Sequence, residues 1–207
     1  MRLIKSALLH RYPSNLSIPS ESLALTNGQT LFFRNLKGSG KHALVHEVVK
    51  YGNSTTPLTA KFARTKAGIL AIQKEWEFYQ KLSNNPRPHF IIPILEAPLS
   101  KDRGLVLIKP LLHGTPLEDY ASKRIPLTEE QKASLQEIRE WSDNYFLPTF
   151  KKPLDLNPTN LMWIDNPIDM TNLGLTKPSF VLFEVGTTSK SDRFLYDWVF
   201  YKWIFKP

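Results

Sequence analysis

Short apolar runs broken by glycine, asparagine and proline fill the first half of the chain, and they predict strands. Leu31–Leu36 reads as one strand and Leu44–Val49 as the next, with a glycine-containing turn between them. Leu58-Thr59-Ala60-Lys61-Phe62-Ala63 reads as a third, one lysine amid apolar and small residues. Ile91–Ala97 and Gly104–Lys109 read as two more, joined by the turn Leu99–Arg103. Between these runs the period changes. Ile69, Ile72, Trp76, Tyr79 and Leu82 share one face of a helix over about residues 66–83. Leu117–Lys123 predicts a short helix. Thr128-Glu129-Glu130-Gln131 is a capping box opening a longer one, with Leu135, Ile138, Trp141 and Tyr145 on one face and Pro148 at its end. Leu161–Ile164 and Phe180–Phe183 predict two strands, and Asp165–Pro178 a turn-rich connection between them. Phe194, Leu195, Trp198, Val199, Phe200, Trp203 and Ile204 predict an apolar terminal helix. Residues 1–29 combine helical spacing at Leu3, Ile4, Ala7 and Leu8 with a proline- and serine-rich loop; they read as an appended segment packed on the body or as a flexible arm.

Composition narrows the chemistry. The 207 residues suit one domain or two small lobes, and 42% apolar content is enough for a core. Cysteine is absent, which excludes disulfides, thiol catalysis and thiolate metal sites. No apolar run approaches the length of about 20 residues that a membrane span needs, and Met1–His10 lacks the form of a secretory signal. The net charge is +8, but the 27 lysines and arginines are spread without a long basic run. A solvated basic surface that suits a polyphosphate ligand is expected; a nucleic-acid role rests on charge alone and is not expected.

Several local patterns carry candidate chemistry. Gly38-Ser39-Gly40-Lys41-His42-Ala43 lies between two strand-like runs. Glycine lets backbone N–H groups approach phosphate oxygens, so this is either a flap over phosphates or an ordinary hairpin turn. Lys61 is either an exposed edge lysine or a phosphate-binding one. Glu75 lies at the edge of the helical stripe, where it can reach back to Lys61, whereas Glu77 points further out. Asp155-Leu156-Asn157-Pro158-Thr159-Asn160 sets a carboxylate five residues before a carboxamide: a group that can orient a hydroxyl beside one that can help hold a metal ion, or simply a turn at Asn157-Pro158. Glu184-Val185-Gly186 follows the last strand and offers a second acidic ligand. Asp165 and Asp169 are rival ligands.

Taken in order, these elements resemble the protein-kinase superfamily over about residues 31–190: glycine-rich hairpin, strand lysine, helix glutamate, paired strands, hinge at Pro110–Pro116, capped helix, Asp-x-x-x-x-Asn, strand pair, acid-x-Gly. Within it the chain is similar to small bacterial kinase-like proteins of the YrbL type, through Gly38–His42, Lys74–Tyr79, Asp155–Asn160, Val181–Gly186 and the Trp-rich end. It is also similar to truncated kinases that pathogens inject into host cells. The resemblance implies an α+β, two-lobed fold in a single domain over residues 1–207: an extension (1–29), an N-lobe (30–110) with an antiparallel sheet and one helix, and a much reduced helical C-lobe (111–207). It implies ATP and Mg²⁺ or Mn²⁺ bound in the cleft. Gly38, Ser39, Gly40 and Lys41 would line the phosphates, and Lys61 would contact the α- and β-phosphates while pairing with Glu75. Asp155 would orient the acceptor hydroxyl, and Asn160 and Glu184 would hold metal. It further implies a protein substrate or an activating protein partner, and a bacterial cytoplasmic location or delivery into a host cell.

Two departures bear on activity. Pro153-Leu154 stands where the family has His-Arg, and Glu184-Val185-Gly186 where it has Asp-Phe-Gly. The expected function is a minimal Ser/Thr protein kinase, constitutive or switched on by a partner. The alternatives are a pseudokinase acting as a nucleotide-binding or interaction module, and a small-molecule kinase.

Overall fold

The computed structural model describes residues 21–39, 42–52, 57–83 and 88–187. The expected helices at Leu3–Leu8 and Phe194–Ile204, and the turn residues Gly40 and Lys41, lie outside them. The chain divides into two compact units: residues up to Lys81 with Pro93–Leu111, and Leu82–Ile92 with residues from Leu112 onward.

The first unit is built on a five-stranded antiparallel sheet. Its strands are β1 (Ser22–Ala24), β2 (Thr30–Ser39), β3 (Ala43–Lys50), β4 (Leu58–Ala63) and β7 (Leu107–Pro110), in that spatial order. A two-stranded hairpin of β5 (Leu99–Ser100) and β6 (Gly104–Leu105) accompanies it. One face of the sheet is a dry cluster including Leu31, Phe33, Leu44, Leu58, Ala60, Phe62 and Ile108. Helix α1 (Lys66–Ser83) covers the other, bringing Ile69 and Ile72 onto Ala63 and Leu107 with Trp76 and Tyr79 at the margin. Strand β4 is therefore lined on both faces. Side chains alternate along a strand, so Leu58, Ala60 and Phe62 enter the dry cluster while Lys61 points the other way, toward α1.

Thr65 starts α1 by accepting the Gly68 N–H on its hydroxyl at 3.1 Å. Gly68 then packs against the β3 hairpin so closely that a Cβ there would lie 1.9 Å from the His42 carbonyl oxygen. That approach is why a glycine stands in the first turn of a helix that it would otherwise weaken.

The second unit holds a three-stranded antiparallel sheet in the order β10 (Ser179–Leu182), β9 (Leu161–Ile164), β8 (Thr115–Pro116). Helices α2 (Leu117–Lys123), α3 (Glu129–Trp141), α4 (Leu147–Phe150) and α5 (Pro167–Leu173) accompany it. The capping box forms as expected: Thr128 Oγ1 accepts the Gln131 N–H at 3.2 Å, and Gln131 Oε1 accepts the Thr128 N–H at 3.0 Å. Leu135 and Ile138 are buried, and Ser134 Oγ accepts the Phe180 N–H at 2.8 Å, tying α3 to β10. Ile92, Ile164, Leu173, Leu175 and Val181 form the core.

Several expectations need correction. The segment before residue 30 is not wholly appended, since β1 is an edge strand of the sheet and Leu23 and Leu25 are core residues. Ile91–Ala97 is not a strand. It contains Pro93, which has no N–H to give a ladder, and it makes only single bridges, Ile91 with Leu182 and Glu96 with Ile108. The hinge stretch Pro110–Pro116 is partly strand, its ends belonging to β7 and β8. Pro148 does not end the long helix. A π-type turn at Ser142–Phe146 widens the coil before it, and Lys151, left-handed at φ 56°, closes α4 instead. Asp165–Pro178 contains α5, capped by Asn166, whose Oδ1 accepts the Ile168 N–H at 2.9 Å. Among the described residues no helix is long and apolar enough to cross a membrane.

Candidate active site

In the first unit the candidate chemistry gathers on the α1 face of the sheet. Lys61 Nζ donates to Glu75 Oε2 at 2.8 Å. Lys109, from neighbouring β7, donates to the other oxygen of the same carboxylate, Nζ to Oε1 at 2.5 Å. All three side chains are buried; Glu75 is only 3% exposed. Burial alone would push the Glu75 carboxyl up, but the charges of Lys109 and then Lys61 outweigh it and hold the carboxyl below its usual range. Glu77 instead accepts from Gln73 Nε2 at 3.1 Å along the helix surface. Charge-assisted bonds of this length fix a lysine that would otherwise be among the most mobile of side chains.

Sequence reasoning missed Lys109. Its signal was the same as that of Lys61: a lone lysine in an otherwise apolar strand, Leu105-Val106-Leu107-Ile108-Lys109.

The glycine-rich hairpin differs from the expected turn. Gly38 and Ser39 lie in β2, paired with Val45 and Leu44. The nearest atom to a Cβ at Gly38 would be 3.8 Å away, so close packing does not require glycine there. Ser39 Oγ lies 3.4 Å from Arg64 Nη1, as acceptor. The basic residues Arg34 and Lys37 of this hairpin lean on Glu47, at 2.8 and 3.3 Å, and Arg34 foremost holds the Glu47 carboxyl down to about 2.

In the second unit the Asp155 loop and the Glu184 segment are stitched together by backbone. The Asp155 N–H donates to the Gly186 carbonyl at 3.0 Å, and the Phe183 N–H to the Asn160 carbonyl at 3.1 Å. Leu154 bridges Thr187. The β9–β10 register pairs Leu161 with Leu182, so Asn160 and Glu184 flank the same end of this strand pair. Within the loop, Asp155 Oδ1 accepts the Asn157 N–H at 3.3 Å, and Asn157 Oδ1 accepts the Thr159 N–H at 3.1 Å. These are the side-chain-to-backbone turns that Asp and Asn favour. Buried Leu154 and Leu156 flank the half-buried Asp155. Val185 is buried too, anchoring the Glu184 segment.

Asn160, 8% exposed, spends its amide nitrogen on the loop, donating Nδ2 to the Asp155 carbonyl at 3.4 Å. Asn160 and Glu184 carry oxygen donors, the kind that Mg²⁺ and Mn²⁺ prefer over softer ions. Among the described residues no group of three His, Cys, Asp or Glu is placed to hold a metal ion. Asp169, the rival ligand, is structural: 3% exposed, it accepts the His113 backbone N–H at 2.6 Å.

No protein-family model matches the chain, and neither does any curated protein sequence. Solved structures do match. The crystal structure of Rad53 1-466 in complex with AMP-PNP aligns with a TM-score of 0.54 at 14% identity, over 76% of this chain and 39% of that one. The kinase domain of Plasmodium PF14_0431 aligns with a TM-score of 0.55 at 18% identity, over 75% of this chain and 45% of that one. The chain thus spans less than half the length of either. At these identities the likeness concerns fold: an α+β, reduced protein-kinase-like fold with an antiparallel N-terminal sheet.

Proposed function

We propose that the chain is a minimal phosphotransferase that uses ATP and Mg²⁺ or Mn²⁺ to phosphorylate serine or threonine of a protein substrate. The observation that carries this reading is the buried Lys61–Glu75 pair, at 2.8 Å, on a kinase-like sheet and helix. A fixed ammonium of this kind neutralises phosphate charge without reorganising, and phosphoryl transfer depends mainly on positioning and electrostatic stabilisation. In this reading Lys61 binds the α- and β-phosphates, and backbone of the Gly38–Lys41 stretch approaches them. Asp155 orients the acceptor hydroxyl and takes its proton. Asn160 and Glu184 hold the divalent cation, whose charge, when bound, offsets that of the phosphates.

Glu184 is one methylene longer than the usual aspartate, and Pro153-Leu154 leaves no arginine to receive a phosphorylated loop. We therefore propose an enzyme that is active as made or that a protein partner switches on. The same departures favour, as second reading, a pseudokinase that binds nucleotide and acts through contacts. On the sequence resemblance to YrbL-type and injected kinases alone, we further propose a bacterial protein acting in its own cytoplasm or in a host cell.

The test is transfer of labelled phosphate from ATP, with Mg²⁺ or Mn²⁺, to protein or metabolite acceptors. Transfer to protein that disappears in Asp155→Ala supports the kinase. Nucleotide-dependent thermal stabilisation without turnover under either metal would establish the pseudokinase. Transfer only to metabolites would make it a small-molecule kinase.

A further inference from the structure

We propose that Lys109 is a positioning residue for the nucleotide: it holds the Glu75 carboxylate in place when the Lys61 ammonium turns toward phosphate. The inference rests on the reading of Lys61 as phosphate-binding, and it assigns a residue which that reading does not require.

The argument begins with sheet register. β4 and β7 are antiparallel neighbours, with Lys61 opposite Leu107 and Thr59 opposite Lys109. Directly opposed residues share a face, and so do alternate residues of one strand. Lys61 and Lys109 therefore project from the same face, toward α1. Each takes one oxygen of Glu75. The burial of all three means that water contributes little to the carboxylate.

Suppose Glu75 depended on Lys61 alone. Each time that ammonium moved toward a ligand, a deeply buried carboxylate would lose its cation, and leaving one member of a buried pair behind is costly. Lys61 would then be a poor phosphate ligand, because its departure would be penalised. Lys109 removes the conflict. It neutralises the carboxylate and pins α1 to the sheet through a second strand. The charged groups of neighbouring strands facing Glu75, among the described residues, are Lys61 from β4 and Lys109 from β7. Lys109 also lies closer to the carboxylate than Lys61 does, at 2.5 Å against 2.8 Å.

The experiment has two arms, both on the full chain. The first follows the Glu75 carboxyl by carbon-13 NMR against pH, without nucleotide, in the unsubstituted protein, Lys61→Met and Lys109→Met. Lys109→Met should raise the carboxyl titration more than Lys61→Met does. A larger rise in Lys61→Met, or no rise in either, overturns the inference. The second arm measures affinity for an ATP analogue with Mg²⁺. Lys109→Met should weaken it about tenfold, the equivalent of one pKa unit of coupling, and Lys109→Arg should recover most of the loss. If Lys109→Met does not fold, Lys109→Arg and the titration in Lys61→Met carry the test: Glu75 staying ionised in Lys61→Met supports the role, and its protonation there refutes it. A chain that binds no nucleotide removes the functional reading and this inference together. Binding that is unchanged in Lys109→Met removes this inference alone.

Discussion

The two groups of candidate catalytic residues are held by different means. In the first unit Lys61, Glu75 and Lys109 are fixed by side chains: two ammonium groups on one buried carboxylate. In the second, the segments that carry Asp155, Asn160 and Glu184 are joined by main chain, through Asp155 N–H to Gly186, Phe183 N–H to Asn160 and the Leu154–Thr187 bridge. A site made of buried charge stands or falls with each side chain. A site made of backbone stitching can lose a side chain and keep its shape. Stability and activity should therefore separate in the second group and fall together in the first.

The largest expected effect sharpens that contrast. Glu75→Ala leaves two buried ammonium groups without their shared partner, and breaking a buried pair of this kind costs about 3–5 kcal/mol. Asp155→Ala removes the acceptor of the Asn157 N–H, a bond worth about 1 kcal/mol, leaves the backbone bonds of its segment in place, and should lower transfer by at least about 10²-fold. Urea denaturation of both variants checks this. Equal losses of stability would break the comparison.

Next in size is the fit of α1 against the β3 hairpin. Gly68→Ala puts a methyl into the His42 carbonyl, and such overpacking should destabilise the first unit by about 1–3 kcal/mol. A smaller effect, about 1 kcal/mol, is expected for Thr128→Ala, which removes the capping box of α3. Hydrogen exchange resolved by residue would place the first loss in β3, β4 and α1, and the second in α3. Loss of protection spread evenly over the chain in either variant would contradict these assignments.

Acid should act in two steps, both in the first unit. Buried His46 stacks on Phe62 at 5.3 Å, and burial lowers its pKa, against a smaller opposing effect of the Arg34 backbone. The folded state therefore binds a proton less readily than the unfolded one. The stability His46 confers is complete above its unfolded pKa of about 6.5 and declines as pH falls below that value. Glu75, also lowered, keeps its contribution down to the unfolded carboxylate value of about 4.3 and loses it below. Denaturation midpoints from pH 8 to 4 should fall first below about 6.5. His46→Phe should flatten that first decline; an unchanged profile would remove His46 as its cause.

Much of this was legible in the chain, because the elements nearest the chemistry follow a single clear period. β4 and α1 begin and end where the apolar pattern placed them, since their patterns run unbroken between a loop proline, Thr65 and the end of the stripe. The capping box and β9 were equally plain. Two misreadings share a cause: proline or asparagine was taken as punctuation when tertiary structure used it otherwise, for Asn166-Pro167 opens α5 rather than a loop and Pro148 continues a helix past a π-type turn. Pro93 is the opposite case, read through as strand although it breaks the apolar run. For the candidate site, the kinase-like order of elements singled out Lys61, Glu75, Asp155, Asn160 and Glu184, and the structure shows the Lys61–Glu75 pair among them. Lys109 carried the same lone-lysine signal as Lys61, but that it shares a carboxylate 34 residues away shows only in the β4–β7 register.

The most direct measurement is phosphate transfer from labelled ATP by the purified chain with Mg²⁺ or Mn²⁺, run beside Lys61→Met and Asp155→Ala. The account predicts transfer to a protein acceptor without prior phosphorylation of the chain, falling by at least about 10²-fold in each variant. Transfer that survives undiminished in Asp155→Ala, or a chain that neither binds nor turns over nucleotide, would contradict it.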